Sequence, residues 1–190
     1  MEMVRSILDG RKSCTRRIIK PQPQGYFEVS EEPLYIYDTD GKQGKITPPY
    51  QPGDILYVRE TWKQAPNGYY YYEDWQRSDI ADITKWKPSI HMPKEAARIW
   101  LKVTDVRAER LQEITAESAL LEGTDKYIHL NGKFDKNAIL TSFMGIWNST
   151  IKKSDFDRYG WDTNPYVWVI EFERCEKPKE EKGNDSGDSK

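Results

Sequence analysis

The sequence predicts a mainly β protein with helices, a small and mostly antiparallel barrel whose openings are covered by helical segments. Three observations carry this. Strand-like runs outnumber helix-period runs, and turns and two helical insertions separate them. At 190 residues the chain is long enough for one ordinary domain. Its two cysteines, Cys14 and Cys175, stand far apart with no pairing pattern, so the core is expected to hold without staples and the thiols to stay reduced.

In chain order, Met3 to Leu8 reads as a short helix with Val4, Ile7 and Leu8 on one side. Gly10 is placed to cap it, because glycine takes positive φ without penalty. Thr15 to Lys20 reads as the first strand, ended by Pro21 and Pro23. Residues 21–53 hold six prolines, with strand-like material at Leu34 to Tyr37, and read as a long excursion around a small hairpin. Pro52-Gly53-Asp54 is a turn launching a strand from Ile55 to Glu60. Tyr69 to Tyr72 read as another strand, two rings on each face. Pro88 to Pro93 is too proline-bound for a helix. Ile99, Leu101 and Val103 alternate with Trp100, Lys102 and Thr104, which gives a strand with two distinct faces. Thr115 can cap a helix that Ile114 staples onto Ala119 and Gly123 stops. A second helix is expected from Asn137 to Lys152, with Leu140, Phe143, Trp147 and Ile151 along one stripe. Tyr166 to Arg174 is the last strand, with Tyr166, Trp168, Ile170 and Phe172 on one face. No apolar residue follows Cys175, so 176–190 are expected to be a disordered tail.

Composition narrows the function. A formal net charge of −2 argues against a wholly basic nucleic-acid coat, so any such partner must be met by a local patch. His91 and His129 form no metal-ligand pattern with the cysteines, and neither a metal nor an organic cofactor is expected. There is no apolar signal core and no apolar run of membrane-spanning length, which leads us to expect a cytoplasmic protein without a membrane partner. Aromatic residues make up 13% of the chain, including seven tryptophans, which suggests stacking surfaces or an aromatic-lined cleft.

One stretch concentrates charge. Gly10 to Arg17 holds four cations in eight residues with no acid, and reads as a site for an anion or polar substrate, or as a solvated turn. Lys12 and Thr15 are the first reactive pair. A threonine hydroxyl attacks a carbonyl when a base takes its proton, and a lysine serves if burial or neighbouring cations favour its neutral form. A phosphate-binding loop would look the same. Glu122 ends a helix, where the dipole disfavours a carboxylate and suits a proton donor; a surface glutamate is the plain alternative. Arg59-Glu60-Thr61-Trp62 closes a strand as cleft linings do, or as a salt-bridged edge does. His91 lies between prolines in a stiff loop.

Together these residues resemble the ASCH domain family, which has a PUA-like fold, in particular its phage- or prophage-associated branch. The matching pieces are Met3-Val4 through Gly10-Arg11-Lys12-x-x-Thr15-Arg16-Arg17; Pro52-Gly53-Asp54 leading to Val58-Arg59-Glu60-Thr61-Trp62; Pro88 to Pro93; Val103 to Arg107; and Asn164 to Ile170. They run in order over residues 3–174. The resemblance implies a β-barrel with an RNA-related cleft, one domain over 1–175, and insertions at about 21–50 and 63–97. It also points to the bacterial branch of N4-acetylcytidine amidohydrolases, in which a lysine, a threonine three residues later and a helical glutamate do the chemistry; Lys12, Thr15 and Glu122 match these. The double arginine after Thr15 and the insertions depart from that branch.

The function expected first is therefore hydrolysis of an N-acylated cytosine nucleoside: Thr15 attacks, Lys12 accepts its proton, Glu122 helps protonate the leaving amine. Arg11, Arg16, Arg17, Arg59, Glu60, Trp62 and His91 are expected to bind the substrate. A non-catalytic RNA or modified-base binding module ranks second. A ribonuclease using Lys12, Arg17 and His91 ranks third.

Overall fold

A computed structural model describes residues 2–24, 27–31, 34–38, 44–75, 85–124, 129–130 and 133–179. Helix α1 (Glu2–Leu8) ends as expected at Gly10, whose φ is +73°. The amides of Gly10 and Arg11 donate back to the carbonyls of Ile7 and Ser6, satisfying the open end of the helix. Strand β1 (Cys14–Ile18) follows. Next, β2 (Phe27–Glu31), β3 (Leu34–Asp38) and β4 (Lys45–Ile46) form a three-stranded antiparallel sheet, so the excursion holds two strands more than the 34–37 segment. Strand β5 (Ile55–Tyr57) is shorter than the expected 55–60 run. Val58 still donates to Ile99, and the chain then leaves the sheet to bury Glu60.

The hairpin of β6 (Trp62–Ala65) and β7 (Gly68–Tyr71) runs into α2 (Tyr72–Trp75). Tyr72, expected to end the strand, therefore begins a helical turn. Pro88 and Pro93 each precede a single 3₁₀ turn, Ser89–His91 and Lys94–Ala96. One such turn needs an amide only at its far end, so a proline just before it does no harm. Strand β8 (Trp100–Arg110) is the longest. It leads to α3 (Ala116–Leu121), where the Thr115 hydroxyl accepts from the Ser118 amide at 3.1 Å and Gly123 takes a φ of +87°. After the short strands β9 (His129–Leu130) and β10 (Lys133–Phe134) comes α4 (Lys136–Thr150). Asp135 caps α4, and its buried stripe begins at Ile139 rather than Leu140 before continuing through Phe143 and Trp147. A short α5 (Phe156–Tyr159) precedes β11 (Tyr166–Cys175). Residues 176–179 are exposed, and the rest of the expected tail, 180–190, lies outside the described residues.

The protein is α+β, built on a curled antiparallel sheet that makes half a barrel, in the order β1-β11-β8-β5. Its two faces follow from strand parity. On one face Trp168 and Ile170 of β11 join Val103, Val106 and Ile19 under the three-stranded sheet. Farther along it, Phe172, Ile99 and Leu101 pack on Val4 and Ile7 of α1. On the other face Val167, Val169 and Cys14 pack beneath α3 and α4. The register passes from Glu171↔Asp105 to Phe172↔Val103 without a partner for Thr104. That bulge lets Val103 and Val106, an odd number of residues apart, face the same core.

Candidate functional site

The end of α3 is brought onto the start of β1 by one glycine. A Cβ on Gly123 would lie 3.1 Å from Ser6 and 3.6 Å from Lys12. Together with its positive φ, this reserves the position for glycine and lets the two segments touch. The Ser13 amide then donates to the Leu121 carbonyl at 3.0 Å. Glu122, the last residue of that helical turn, lands on Lys12. The Lys12 ammonium donates to Glu122 Oε2 at 3.0 Å, to the Glu122 carbonyl at 3.0 Å and to the Cys14 carbonyl at 2.7 Å. Each of its three N–H donors therefore has an oxygen.

Arg16 holds the other carboxylate oxygen, from Nη1 at 3.1 Å, while its Nη2 reaches Ser118 Oγ at 2.9 Å and Glu109 at 3.4 Å. Side-chain exposures of 5% for Lys12, 1% for Arg16 and 9% for Glu122 make this a sealed ionic cluster. Arg16 Nε is buried without a hydrogen-bond partner among the described residues. The network continues outward on the same sheet face. Arg107 bonds Glu109, Asp105 and Glu171. Burial works against its charge, but those hydrogen bonds outweigh burial and hold the guanidinium above its ordinary range.

Beside the cluster, burial, and then the Glu122 carboxylate, push the Cys14 thiol up to about 12 from 9.0. Two expectations follow. Iodoacetamide at pH 8 should label Cys175 first and Cys14 only after unfolding, read by peptide mass spectrometry. Below pH 9 the thiol is protonated both folded and unfolded and adds no pH dependence. As pH rises above 9 the unfolded chain ionises while the folded one does not, so stability falls by about 1.4 kcal/mol per pH unit towards pH 12. Cys14→Ala should flatten that part of the alkaline profile; parallel profiles would remove Cys14 as its source.

The other sequence-predicted residues fall elsewhere. Thr15 pairs with Ile170 and Arg17 with Trp168, so strand parity turns both away from the face of Cys14 and Arg16. Thr15 is half-buried there and Arg17 is exposed. Arg11 sits beside Asp9 at 3.3 Å. Arg59, Glu60, Trp62 and His91 gather near β5, at the opposite edge of the sheet from β1. Glu60 is buried and held by Arg98 from Nε at 2.8 Å and Nη2 at 2.9 Å. Arg59 is exposed and donates to the Ile90 carbonyl. Trp62 is buried beneath the Lys87 ammonium, and His91 lies exposed in its 3₁₀ turn.

Lys12 and Glu122 are thus brought together with Arg16, and Thr15 is not. The sequence reading missed Ser118, Glu109, Arg107 and Arg98. Asp105, Arg107 and Glu109 alternate along a strand, a charge period of two that marks one face; nothing local marks Arg98.

Among the described residues no group of three or more His, Cys, Asp and Glu is placed to hold a metal ion. No helix among them is long and apolar enough to cross a membrane. No family model, curated protein or solved structure matches the chain.

Proposed function

We propose that the chain is an ASCH-like protein of PUA-like fold that hydrolyses the C–N amide bond of an N-acylated cytosine nucleoside, free or within RNA. The supporting observation is the 3.0 Å contact between Lys12 and Glu122, 110 residues apart. It joins the two groups to which the resemblance gives proton transfer. Proton transfer from the Lys12 ammonium to the Glu122 carboxylate leaves an amine and a carboxylic acid. The amine takes the Thr15 hydroxyl proton as that oxygen attacks the acyl carbonyl. The acid protonates N4 as the C–N bond breaks, which releases cytidine and leaves a threonine ester. Water then cleaves the ester to the free carboxylic acid and restores the hydroxyl. Thr15 must come round from the Ile170 face for this, so substrate binding has to reshape the start of β1.

The orientation of Thr15 also favours a second reading, a binding module without turnover. In it the Lys12–Glu122–Arg16 cluster braces β1 against α3, and exposed cations such as Arg17 meet phosphates. Incubation with N4-acetylcytidine and with acetylated RNA, followed by chromatography for cytidine, separates the two. Hydrolysis by the parent chain should fall at least about 100-fold in Thr15→Val. Release that survives in Thr15→Val removes that nucleophile, and RNA binding by the parent without any release gives the second reading.

A further inference from the structure

The far end of the sheet face that carries the charge network holds a second group of cations. Trp100 begins β8, where it pairs in register with Tyr57 of β5 and Cys175 of β11. It lies about 17 Å along the strand from Asp105, at about 3.4 Å per residue. Its ring forms part of a cavity of about 90 Å³ lined by Lys94, Glu95, Trp100, Lys177, Pro178 and Lys179. The Lys94 ammonium lies 5.7 Å from the Trp100 ring centroid, and the Tyr57 ring centroid lies 5.9 Å from it, tilted by 44°. Lys94, Lys177 and Lys179 have no ion-pair partner among the described residues. By contrast Lys12, Arg16, Arg98 and Arg107 all have carboxylate partners.

Three ammonium groups against the single Glu95 carboxylate leave the cavity with a surplus of positive charge, and its walls focus that field on the space between them. The size decides what can enter. The cavity is large enough to admit several waters or a small tetrahedral oxyanion. It falls well short of the roughly 300 Å³ of a pocket for a whole organic ligand. The surroundings then choose among anions. Tyr57, which packs against the cavity-lining Trp100, is 37% exposed, and an exposed aromatic ring can stack a base. Pro178 and Trp100 add apolar lining that suits a sugar or ester carbon.

We propose that this basin is a phosphate subsite, which takes the phosphate of one nucleotide unit while Tyr57 stacks on the attached base. It stands whether or not the Lys12–Glu122 site turns over.

The test uses the full chain and three probes: a fluorescent single-stranded RNA 12-mer, cytidine monophosphate and inorganic phosphate. Parent and Lys94→Gln/Lys177→Gln/Lys179→Gln are compared, with Lys152→Gln/Lys153→Gln as a control for general charge. The three basin lysines are exposed, so unfolding midpoints should stay unchanged. RNA affinity at 50 mM salt should fall at least tenfold in the basin variant. The slope of log K against log salt should shrink by about 0.7 for each RNA phosphate that the variant no longer neutralises. Tyr57→Ala should weaken RNA and the monophosphate by about tenfold and leave inorganic phosphate unchanged.

Loss of RNA binding identifies a strand as the source of the phosphate. Loss of the monophosphate or of inorganic phosphate alone keeps the subsite and identifies a free ligand. Equal loss per lysine in basin and control variants overturns the proposal, as does a parent chain that binds none of the probes.

Discussion

Glu122→Gln should be among the most destabilising single substitutions in the chain, costing about 3–5 kcal/mol in urea unfolding. The carboxylate is 9% exposed and is shared by two cations that are themselves almost sealed, Lys12 at 5% and Arg16 at 1%. Replacing it with a neutral amide leaves Lys12 with no charged partner, and Arg16 with only the longer contact to Glu109. Breaking a buried pair from one side is costly because the surviving charge stays desolvated. Lys12→Met should cost clearly less. It removes one cation while Arg16 still neutralises Glu122, and it replaces a long stem by one of similar shape. The order of the two unfolding midpoints is the check. A Lys12→Met variant less stable than Glu122→Gln would show that the cluster is anchored on the lysine and its carbonyl partners. The result also bears on activity. Loss of hydrolysis in Glu122→Gln reports on chemistry only where the variant is still folded, so Thr15→Val is the cleaner probe of mechanism.

How much of this was legible in the sequence depended on whether the signal was local. The ends of α1 and α3 could be read because Gly10, Thr115 and Gly123 are caps that act within one turn. Strand β8 could be read because Ile99, Leu101 and Val103 alternate with Lys102 and Thr104 ahead of its bulge, and β11 because Tyr166 to Phe172 is a β-branched and aromatic run buried on both faces. Strand β2 could not, lying in a polar, proline-flanked segment where its pairing with β3 decides the conformation. Strand β6 is similar: Trp62-Lys63-Gln64-Ala65 has no clean alternation, and its partner β7 supplies the Trp62–Tyr69 ring contact at 5.7 Å.

The site divides in the same way. A spacing of three, as in Lys12-x-x-Thr15, puts two side chains on one face of a helix but on opposite faces of a strand. Here the segment enters β1, and parity groups Lys12 with Cys14 and Arg16 while Thr15 goes with Arg17. Charge density at Gly10 to Arg17 located the region, and parity, not charge, decided which side chains meet. The adjoining cation Arg16, read as a substrate ligand, is consumed by Glu122, Glu109 and Ser118.

Arg98→Ala should match Glu122→Gln in cost, again about 3–5 kcal/mol, because it strands the most deeply buried carboxylate described. Glu60 is 1% exposed, and the Arg98 fork holds both of its oxygens. The same guanidinium reaches Asp74 from Nη1 at 3.0 and 2.8 Å and lies 4.0 Å over the Tyr71 ring. It thereby ties the exit of β5 to α2 and the β6–β7 hairpin. Burial opposes its charge, but Glu60, with help from Asp74, holds it above the ordinary guanidinium range. Arg98→Lys should recover little, since one ammonium cannot serve two carboxylates in fork geometry. Arg98→Met with Glu60→Leu should recover most of the loss, because an apolar pair of similar volume needs no buried charge. A local readout accompanies the unfolding curves. Burial raises the Tyr71 phenol and Arg98 pulls it back down, so removing Arg98 should move its titration to higher pH in ¹³C-tyrosine NMR. An Arg98→Ala variant that loses under about 1 kcal/mol with Tyr71 unmoved would mean that Glu60 does not depend on Arg98. The hairpin would then be held by its ring contacts and by the Tyr71 hydroxyl, which donates to the Ala96 carbonyl at 2.6 Å.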